Sequence, residues 1–200
     1  MPAVYVNGVK TSCVAIVGGT QVEEKTYAKF DGKGINLPYK LNGDYQITVN
    51  FYESTYNSDA SIIGNSNGPS YSHLTPYNNK YYSSSGTSEN NFGSWSAGEH
   101  TFITNYNGSK NILDGVEVSG YSPHGDNTYV YSVGCRGGEG SHGYSGYLKS
   151  YKIESISTGD VICELVPCLF DNMTPCLYDK ANKKFYYPEG LTVMDEIPTT

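Results

Sequence analysis

Paired carboxylates are the first chemistry to look for in a chain with 20 acidic residues. A retaining glycoside hydrolase needs two carboxyl groups about 5 Å apart, and alternate residues of one strand point to the same face of a sheet. Three candidate pairs do not have that spacing: Glu53 with Asp59, Asp114 with Glu117, and Asp160 with Glu164. We therefore predict that the protein is not an enzyme and has no catalytic residues.

Metal ligands show no dense cluster either. No two of the four histidines, His73, His100, His124 and His142, are spaced i,i+2 or i,i+4, and we expect them in loops without a metal. Calcium prefers carboxylate, amide and carbonyl oxygens, which leaves two weak candidate pairs. These are Asn57 with Asp59, and Asp126 with Asn127. We expect no cofactor, with calcium as the one alternative.

Aromatic residues among Asn, Ser and Gly give the sharpest functional hypothesis. A sugar ring stacks on an aromatic face while neighbouring polar groups bind its hydroxyls. The candidate carbohydrate-binding residues are Trp95, Tyr71, Tyr77, Tyr81, Tyr121, His124, Arg136 and Tyr144. Trp95 is the only tryptophan and lies between Gly93 and Gly98, so we expect it to stack on a sugar and to contribute little to stability.

The same composition permits two other interpretations. Tyrosine with Ser, Gly and Asn is also the chemistry of antibody-type surfaces that bind proteins. Alternatively, about half of these tyrosines pack inside the fold and place their hydroxyls at the surface. The sequence leaves all three interpretations open.

Charge and cysteine content restrict the partners and the compartment. The net charge is −7 with only one arginine among 13 basic residues, which argues against nucleic acid. We find neither a membrane-spanning apolar run nor an N-terminal secretion signal and expect no membrane insertion. The five cysteines match no zinc pattern, and we expect five free thiols in a protein assembled in a reducing cytoplasm.

The elements that must position these residues are short strands. Asn-Gly and Asp-Gly pairs recur as turn signals, among them Asp31-Gly32 and Asp114-Gly115. Residues 45–51 and 146–153 alternate apolar and polar side chains, which is typical of half-buried strands. No long window has helical periodicity, so we predict an all-β fold. We expect 64–98 and the glycine-rich 136–143 to be loops.

Composition divides the chain into three parts. We predict an N-terminal arm at 1–24, a sandwich of many strands at 25–165 and a proline-rich C-terminal extension packed on it at 166–200. The arm contains two apolar strands, at 4–9 and 12–17, which need a cover to avoid aggregation. We favour a neighbouring subunit as that cover, with docking through Val4, Val6, Val14 and Ile16.

The order of these segments resembles a known family. Phe30-Asp31-Gly32-Lys33-Gly34-Ile35 leads into the strand at 45–52, followed by Gly98-Glu99-His100-Thr101-Phe102, Asn111-Ile112-Leu113-Asp114-Gly115 and Gly146-Tyr147-Leu148-Lys149. This series is similar to the concanavalin A-like, laminin-G-like jelly roll domains of phage and prophage structural proteins and of bacterial surfaces. The resemblance covers residues 27–190 and implies a jelly roll β-sandwich.

The C-terminal segment carries the most specific part of the resemblance. Leu165-Val166-Pro167-Cys168, Pro175-Cys176-Leu177-Tyr178-Asp179 and Lys184-Phe185-Tyr186-Tyr187 resemble a tail that follows the jelly roll in many phage virion proteins. We expect this tail to be structural, with Tyr178 and Phe185 packing and Asp179 capping a turn.

The resemblance implies a role in a virus particle. We expect a non-enzymatic virion structural protein, a head or tail decoration or fibre component, assembled in the host cytoplasm as an oligomer or on a lattice. Other virion proteins and host or mucosal glycans are the expected partners. The alternative is a cell-surface or secreted carbohydrate-binding module of a bacterium. Fold likeness alone does not decide between them.

Overall fold

The computed structural model describes residues 4–6, 9–11, 13–17, 20–39, 44–64, 72–85, 88–105, 110–118, 131–135 and 142–198, with side chains from Val22 onward except those of 72–73, 84–85, 88–90, 105 and 110. These residues form twenty strands: β1 (Val4–Val6), β2 (Val9–Thr11), β3 (Cys13–Val17), β4 (Thr20–Glu24), β5 (Tyr27–Lys29), β6 (Ile35–Asn36), β7 (Tyr45–Glu53), β8 (Ile63–Gly64), β9 (Ser72–Tyr77), β10 (Lys80–Ser85), β11 (Ser88–Ser94), β12 (Gly98–Asn105), β13 (Lys110–Leu113), β14 (Val116–Val118), β15 (Ser132–Val133), β16 (Tyr147–Ser155), β17 (Val161–Phe170), β18 (Thr174–Asp179), β19 (Lys184–Tyr186) and β20 (Thr192–Met194).

Two large antiparallel sheets contain most of these strands. The six-stranded sheet has the order β11-β10-β9-β8-β15-β6, and the twelve-stranded sheet follows β14-β13-β12-β7-β16-β17-β18-β19. Strands β5 and β20 join the larger sheet beside β16, and β3 and β4 join it beside β17. The all-β prediction is confirmed, and the two sheets have the arrangement of a β-sandwich. The described residues include no helix that could cross a membrane.

Strand β7 shows why the sheets pack together. Its alternate residues Ile47, Val49 and Phe51 are buried, whereas Thr48 and Asn50 between them are only half-buried. One continuous apolar core collects such residues from the large sheet and others, including Leu74 and Val133, from the smaller one. The alternation seen in the sequence therefore places one face of each sheet in a shared core.

Turn chemistry explains the hairpins. Asp114 and Gly115 both have positive φ, at 50° and 81°, in the tight turn between β13 and β14, as the sequence predicts. Asn78 and Asn79 also have positive φ, at 49° and 58°, and connect β9 to β10. Asparagine tolerates this conformation, so a hairpin forms without glycine.

The prediction of a loop at 64–98 is corrected by that hairpin. Three strands, β9, β10 and β11, occupy much of this segment and form one side of the smaller sheet. Leu74 and Tyr81 are buried there. Packing of these two side chains in the core allows a Ser- and Asn-rich segment to form strands. Of the predicted glycine-rich loop, 136–141 lies outside the described residues.

The C-terminal segment is part of the large sheet. Strands β17, β18 and β19 are consecutive neighbours in it, and Leu177, Tyr186 and Leu191 belong to the main core. Pro167 and Pro175 lie inside β17 and β18 and pair with Leu177 and Leu169, so these two prolines of the predicted extension do not interrupt its strands. The segment extends the sandwich continuously.

The N-terminal arm is partly covered by this chain. Strand β4 pairs with β17, and Val22 of β4 is fully buried in a second apolar cluster with Val166 and Tyr178. The predicted strand at 4–9 is instead split between β1 and β2 of a small hairpin, which joins neither large sheet through the described residues. The side chains of Val4, Val6, Val14 and Ile16 lie outside the described part, and docking through them stays a prediction.

Candidate functional site

A buried carboxylate joins the two sheets at the end of β7. The Glu53 side chain is only 2% exposed. The Tyr81 hydroxyl donates a 2.6 Å hydrogen bond to Glu53 Oε2, and the indole N–H of Trp95 donates to the same oxygen. Burial raises the pKa of Glu53, and the two hydrogen bonds and nearby His100 oppose that increase. Glu53 therefore acts as an internal acceptor that connects β10 and the segment after β11 to β7.

His100 continues this network along β12. Its Nδ1 lies 2.7 Å from Asp114 Oδ2, and its Nε2 lies 2.9 Å from the Ser96 carbonyl oxygen. The ring is buried and packs 5.3 Å from both Phe51 and Tyr81, measured between ring centroids. The prediction that the histidines lie in loops is wrong for His100 and for His73, because both are strand residues.

The predicted sugar-stacking residues are not equivalent in the structure. Tyr81 and Tyr144 are 2% and 1% exposed, so they have no ring face open to a sugar and are removed from the predicted set. Tyr144 lies against Gly146, where a Cβ atom would come within 2.2 Å of its ring. Tyr77 is 48% exposed and packs 6.2 Å from Tyr82, away from the core.

Trp95 is half-buried and packs against the core. Its hydrogen bond to Glu53 corrects the expectation that it contributes little to stability, because losing this donor affects a buried carboxylate. The other four candidates lie outside the described residues: Tyr71, Tyr121, His124 and Arg136.

Next to Trp95 the structure contains an open cleft of about 410 Å³. We call it the tyrosine cleft, and its lining residues are Lys29, Asp31, Ser54, Thr55, Tyr56, Asn57, Ser145 and Tyr147. Three elements meet there, because Tyr147 of β16 lies opposite both Lys29 of β5 and Tyr52 of β7. The residues just beyond β5 and β7 are thereby brought to one rim of the sheet.

Tyr56 is held firmly in this cleft. The Tyr56 and Trp95 rings meet edge to face at a centroid distance of 5.6 Å, and the Tyr56 hydroxyl accepts a 3.0 Å hydrogen bond from the Asn79 backbone N–H. Asp31, Ser54 and Thr55 around it are exposed. The cleft thus combines a fixed aromatic ring with several polar groups that are open to solvent.

A cluster of three tyrosines continues from the cleft along the outer face of the large sheet. The rings of Tyr27, Tyr52 and Tyr147 meet edge to face at centroid distances of 5.9–6.5 Å. The Tyr27 hydroxyl donates a hydrogen bond to Glu99, which raises the pKa of Tyr27 to about 12. Lys149 lies 5.6 Å from the Tyr27 ring centroid and 3.2 Å from the Glu99 carboxylate.

Polar residues follow these tyrosines on the same face. Asn50 donates a 2.8 Å hydrogen bond to the Ser150 hydroxyl and accepts a 2.8 Å bond from the Thr101 hydroxyl. These three residues lie on adjacent strands, β7, β16 and β12. The outer face is therefore aromatic near the cleft and hydrogen-bonding beyond it.

Sequence reasoning missed Tyr56 and Tyr147 as site residues. The sequence predicts only a strand position for Tyr147 and only a possible calcium contact for Asn57. The available signal was Ser54-Thr55-Tyr56-Asn57, an aromatic residue among polar ones directly after a strongly alternating strand. Its partners come from distant parts of the chain, and only the sheet register brings them together.

One calcium candidate, Asp59, has another partner. Asp59 Oδ2 lies 2.9 Å from His142 Nδ1, and Asp126 and Asn127 lie outside the described residues. Within the described ranges no group of three or more His, Cys, Asp and Glu side chains is placed to hold a metal ion.

Comparisons with known proteins do not assign the cleft. No protein-family model matches the chain, and no curated protein is significantly similar to it. The chemistry of the tyrosine cleft therefore rests on its own residues.

Proposed function

We propose that this protein is a non-enzymatic structural protein of a phage virion, a jelly roll sandwich that binds glycans at the tyrosine cleft. The virion role rests on the resemblance of the segment order and the C-terminal motif to phage structural proteins. The all-β sandwich is compatible with that resemblance. The arm with its separate β1–β2 hairpin is the proposed contact to other virion proteins.

The placement of Tyr56 is the observation that carries glycan binding. A sugar ring needs an immobilised aromatic surface on one side and hydrogen-bonding groups around it. Tyr56 is fixed by Trp95 and Asn79, while Asp31, Asn57 and Ser145 line the same cleft. Carboxylate, amide and hydroxyl groups bind sugar hydroxyls well, so the cleft suits a neutral or weakly charged glycan.

The described carboxylates support binding without hydrolysis. Glu53 is buried and already accepts hydrogen bonds from Tyr81 and Trp95, so it faces no substrate. Among the lining residues of the cleft Asp31 is the single carboxylate, whereas retaining and inverting hydrolysis both use two. Ser66 has Gly-x-Ser-x-Gly spacing and lies outside the described residues.

A bacterial surface or secreted carbohydrate-binding module is the alternative, and it would use the same cleft. The two differ in location, which an antibody against this chain distinguishes in negative-stain images of purified particles. Labelled particles support the virion role. Label on bacterial envelopes alone, with unlabelled particles, supports the surface module.

Replacing Tyr56 tests the binding site. On a glycan array we expect Tyr56→Ala to reduce binding at least about fivefold, since a stacked ring contributes on the order of 1 kcal/mol or more. Tyr56→Phe retains the ring and should keep most of the affinity. Tyr77→Ala is the matched control, because Tyr77 is an exposed tyrosine that is not among the lining residues of the cleft.

Thermal unfolding of each variant separates lost binding from lost folding. Full glycan binding by a folded Tyr56→Ala variant, or an equal loss in Tyr77→Ala, would contradict the assignment of the cleft.

A further inference from the structure

Two cysteines of the C-terminal segment face each other directly. Cys168 of β17 and Cys176 of β18 are register partners in an antiparallel pair. Directly opposed residues in such a pair have Cα atoms about 4.5–5.5 Å apart, within the range that a disulfide spans. Their Sγ atoms are 3.1 Å apart, which is shorter than the usual packing distance between two unbonded sulfur atoms. The two sulfur atoms therefore need to move only a short distance to form a disulfide bond.

The surroundings separate this pair from Cys163. Both side chains are fully buried in the second apolar cluster, together with Val22 of β4. Cys163, by contrast, belongs to the main core. Among the cysteines whose side chains the structure describes, Cys168 and Cys176 therefore have each other as partners, and burial leaves access only to small reagents or through local opening of the sheet.

The two thiols also differ chemically. The hydrogen bond from Cys168 lowers the pKa of the Cys176 thiol, and the same bond together with burial raises the pKa of the Cys168 thiol. The lowered pKa favours the thiolate at Cys176, and the thiolate is the nucleophile in thiol oxidation.

We propose that Cys168 and Cys176 are an oxidation site, at which a peroxide converts two thiols into a cross-strand disulfide. The Cys176 thiolate attacks one peroxide oxygen, the O–O bond breaks, and hydroxide leaves to give a sulfenic acid. The Cys168 sulfur then attacks Cys176, forming the S–S bond and releasing water. The two sulfurs together lose two electrons, and hydrogen peroxide is reduced to two waters.

The bridge has a structural consequence. It ties β17 to β18 beside the point where β4 joins the sheet, and it restricts the unfolded chain. A protein made with free thiols in a reducing cytoplasm would form this disulfide on reaching an oxidising environment. The inference is independent of what the tyrosine cleft binds.

Thiol counting on the intact chain tests the proposal. The reduced protein should show five thiols on denaturation, and hydrogen peroxide should leave three, five minus the two in the bridge. Chymotrypsin cleaves after Phe170, between the two cysteines, so the digest should contain a disulfide-linked peptide pair joining Cys168 to Cys176. Oxidised protein should melt roughly 5–10 °C higher than protein re-reduced with dithiothreitol.

Variants define the linkage further. Cys163→Ala should still lose two thiols to peroxide, whereas Cys168→Ala and Cys176→Ala should lose none to an internal bridge. Five thiols after peroxide treatment, a bridge to another cysteine, or an unchanged melting temperature in the bridged protein would overturn the proposal. The wild-type digest decides the linkage even where a variant does not fold.

Discussion

At the scale of single residues, the buried Glu53 carboxylate positions side chains next to the tyrosine cleft. Its Oε2 atom receives both the Tyr81 hydroxyl and the Trp95 indole N–H, and Trp95 in turn contacts Tyr56 in the tyrosine cleft. The sequence marked Trp95 as a residue of interest but supplied no reason to connect it with Glu53. Burial of a carboxylate depends on what the second sheet places above it, and local sequence does not contain that information.

Substitutions at Glu53 test this role. Glu53→Ala removes the acceptor of the Trp95 indole N–H and leaves the Tyr81 hydroxyl only a long 3.5 Å bond to the Ser96 carbonyl oxygen. We expect this variant to lower the free energy of unfolding by roughly 2–4 kcal/mol. Glu53→Gln retains an oxygen at the Oε2 position for both donors and should cost clearly less. Denaturant unfolding measures both values, and equal losses in the two variants would contradict the acceptor role.

The pH dependence of stability gives a second signature of Glu53. Burial raises the pKa of Glu53 above its ordinary value of 4.5, so the folded protein binds this proton more tightly than the unfolded chain. The resulting stabilisation is complete below about 4.5 and is lost as the pH rises through the folded-state pKa. Glu53→Gln should lack this decline in melting temperature, and a parallel decline in both proteins would exclude Glu53 as its cause.

At the scale of elements, the turn between β18 and β19 confirms the prediction that Asp179 caps a turn. Its Oδ1 accepts backbone hydrogen bonds from Glu164, Ala181 and Asn182 at 3.1–3.3 Å, and its Oδ2 accepts one from the Tyr39 hydroxyl at 3.0 Å. A short hydrophilic turn following an alternating strand is a local signal, which is why the sequence sufficed here.

The neighbouring aromatic contact is confirmed in the same way. The Tyr178 and Phe185 rings lie 4.8 Å apart across the β18–β19 pair, where they are direct register partners.

Replacing Asp179 should therefore destabilise the C-terminal strands. We expect Asp179→Ala to lower the free energy of unfolding by about 3 kcal/mol, since a fully buried carboxylate that accepts several part-buried hydrogen bonds is lost at once. Asp171→Asn is the matched control, because Asp171 is an exposed turn residue at φ 53°, a conformation that asparagine also adopts. Chemical denaturation of both variants measures the difference, and a neutral Asp179→Ala would refute the capping role.

Elements with a clear alternation or turn signal were predictable from the sequence, and strands of low strand propensity were not. Strands β7 and β16 and the Asp114-Gly115 turn follow from alternation and turn chemistry. Strands β9 to β11 were missed because their Ser- and Asn-rich sequences have low strand propensity. Pairing within the smaller sheet, with Leu74 and Tyr81 in the core, outweighs that propensity.

At the scale of the whole molecule, the sandwich class followed from the sequence but the site did not. The number of short alternating segments predicted an all-β fold, and two large antiparallel sheets around one core confirm it. The cleft arises where β5, β7 and β16 meet at a rim, and the paired residues Lys29 and Tyr147 are far apart in the chain. The pairing register of distant strands brings these residues together, and the register cannot be read from a single sequence.

The N-terminal arm contains two hairpins that differ in how they pair with the sandwich. Its β3–β4 hairpin extends the large sheet through β17, while the β1–β2 hairpin joins neither large sheet through the described residues. The arm thus has one part that belongs to this chain's own sheet and one part that our proposal assigns to a neighbouring subunit.

Nuclear magnetic resonance titration of the labelled protein with a glycan selected on the array tests the central claim most directly. Binding at the tyrosine cleft should shift the backbone signals of Asp31, Tyr56, Asn57 and Ser145, together with the indole N–H signal of Trp95, the only tryptophan. Shifts confined to the β9–β10 hairpin, around the exposed Tyr77 and its neighbour Tyr82, would contradict the account and place the glycan elsewhere.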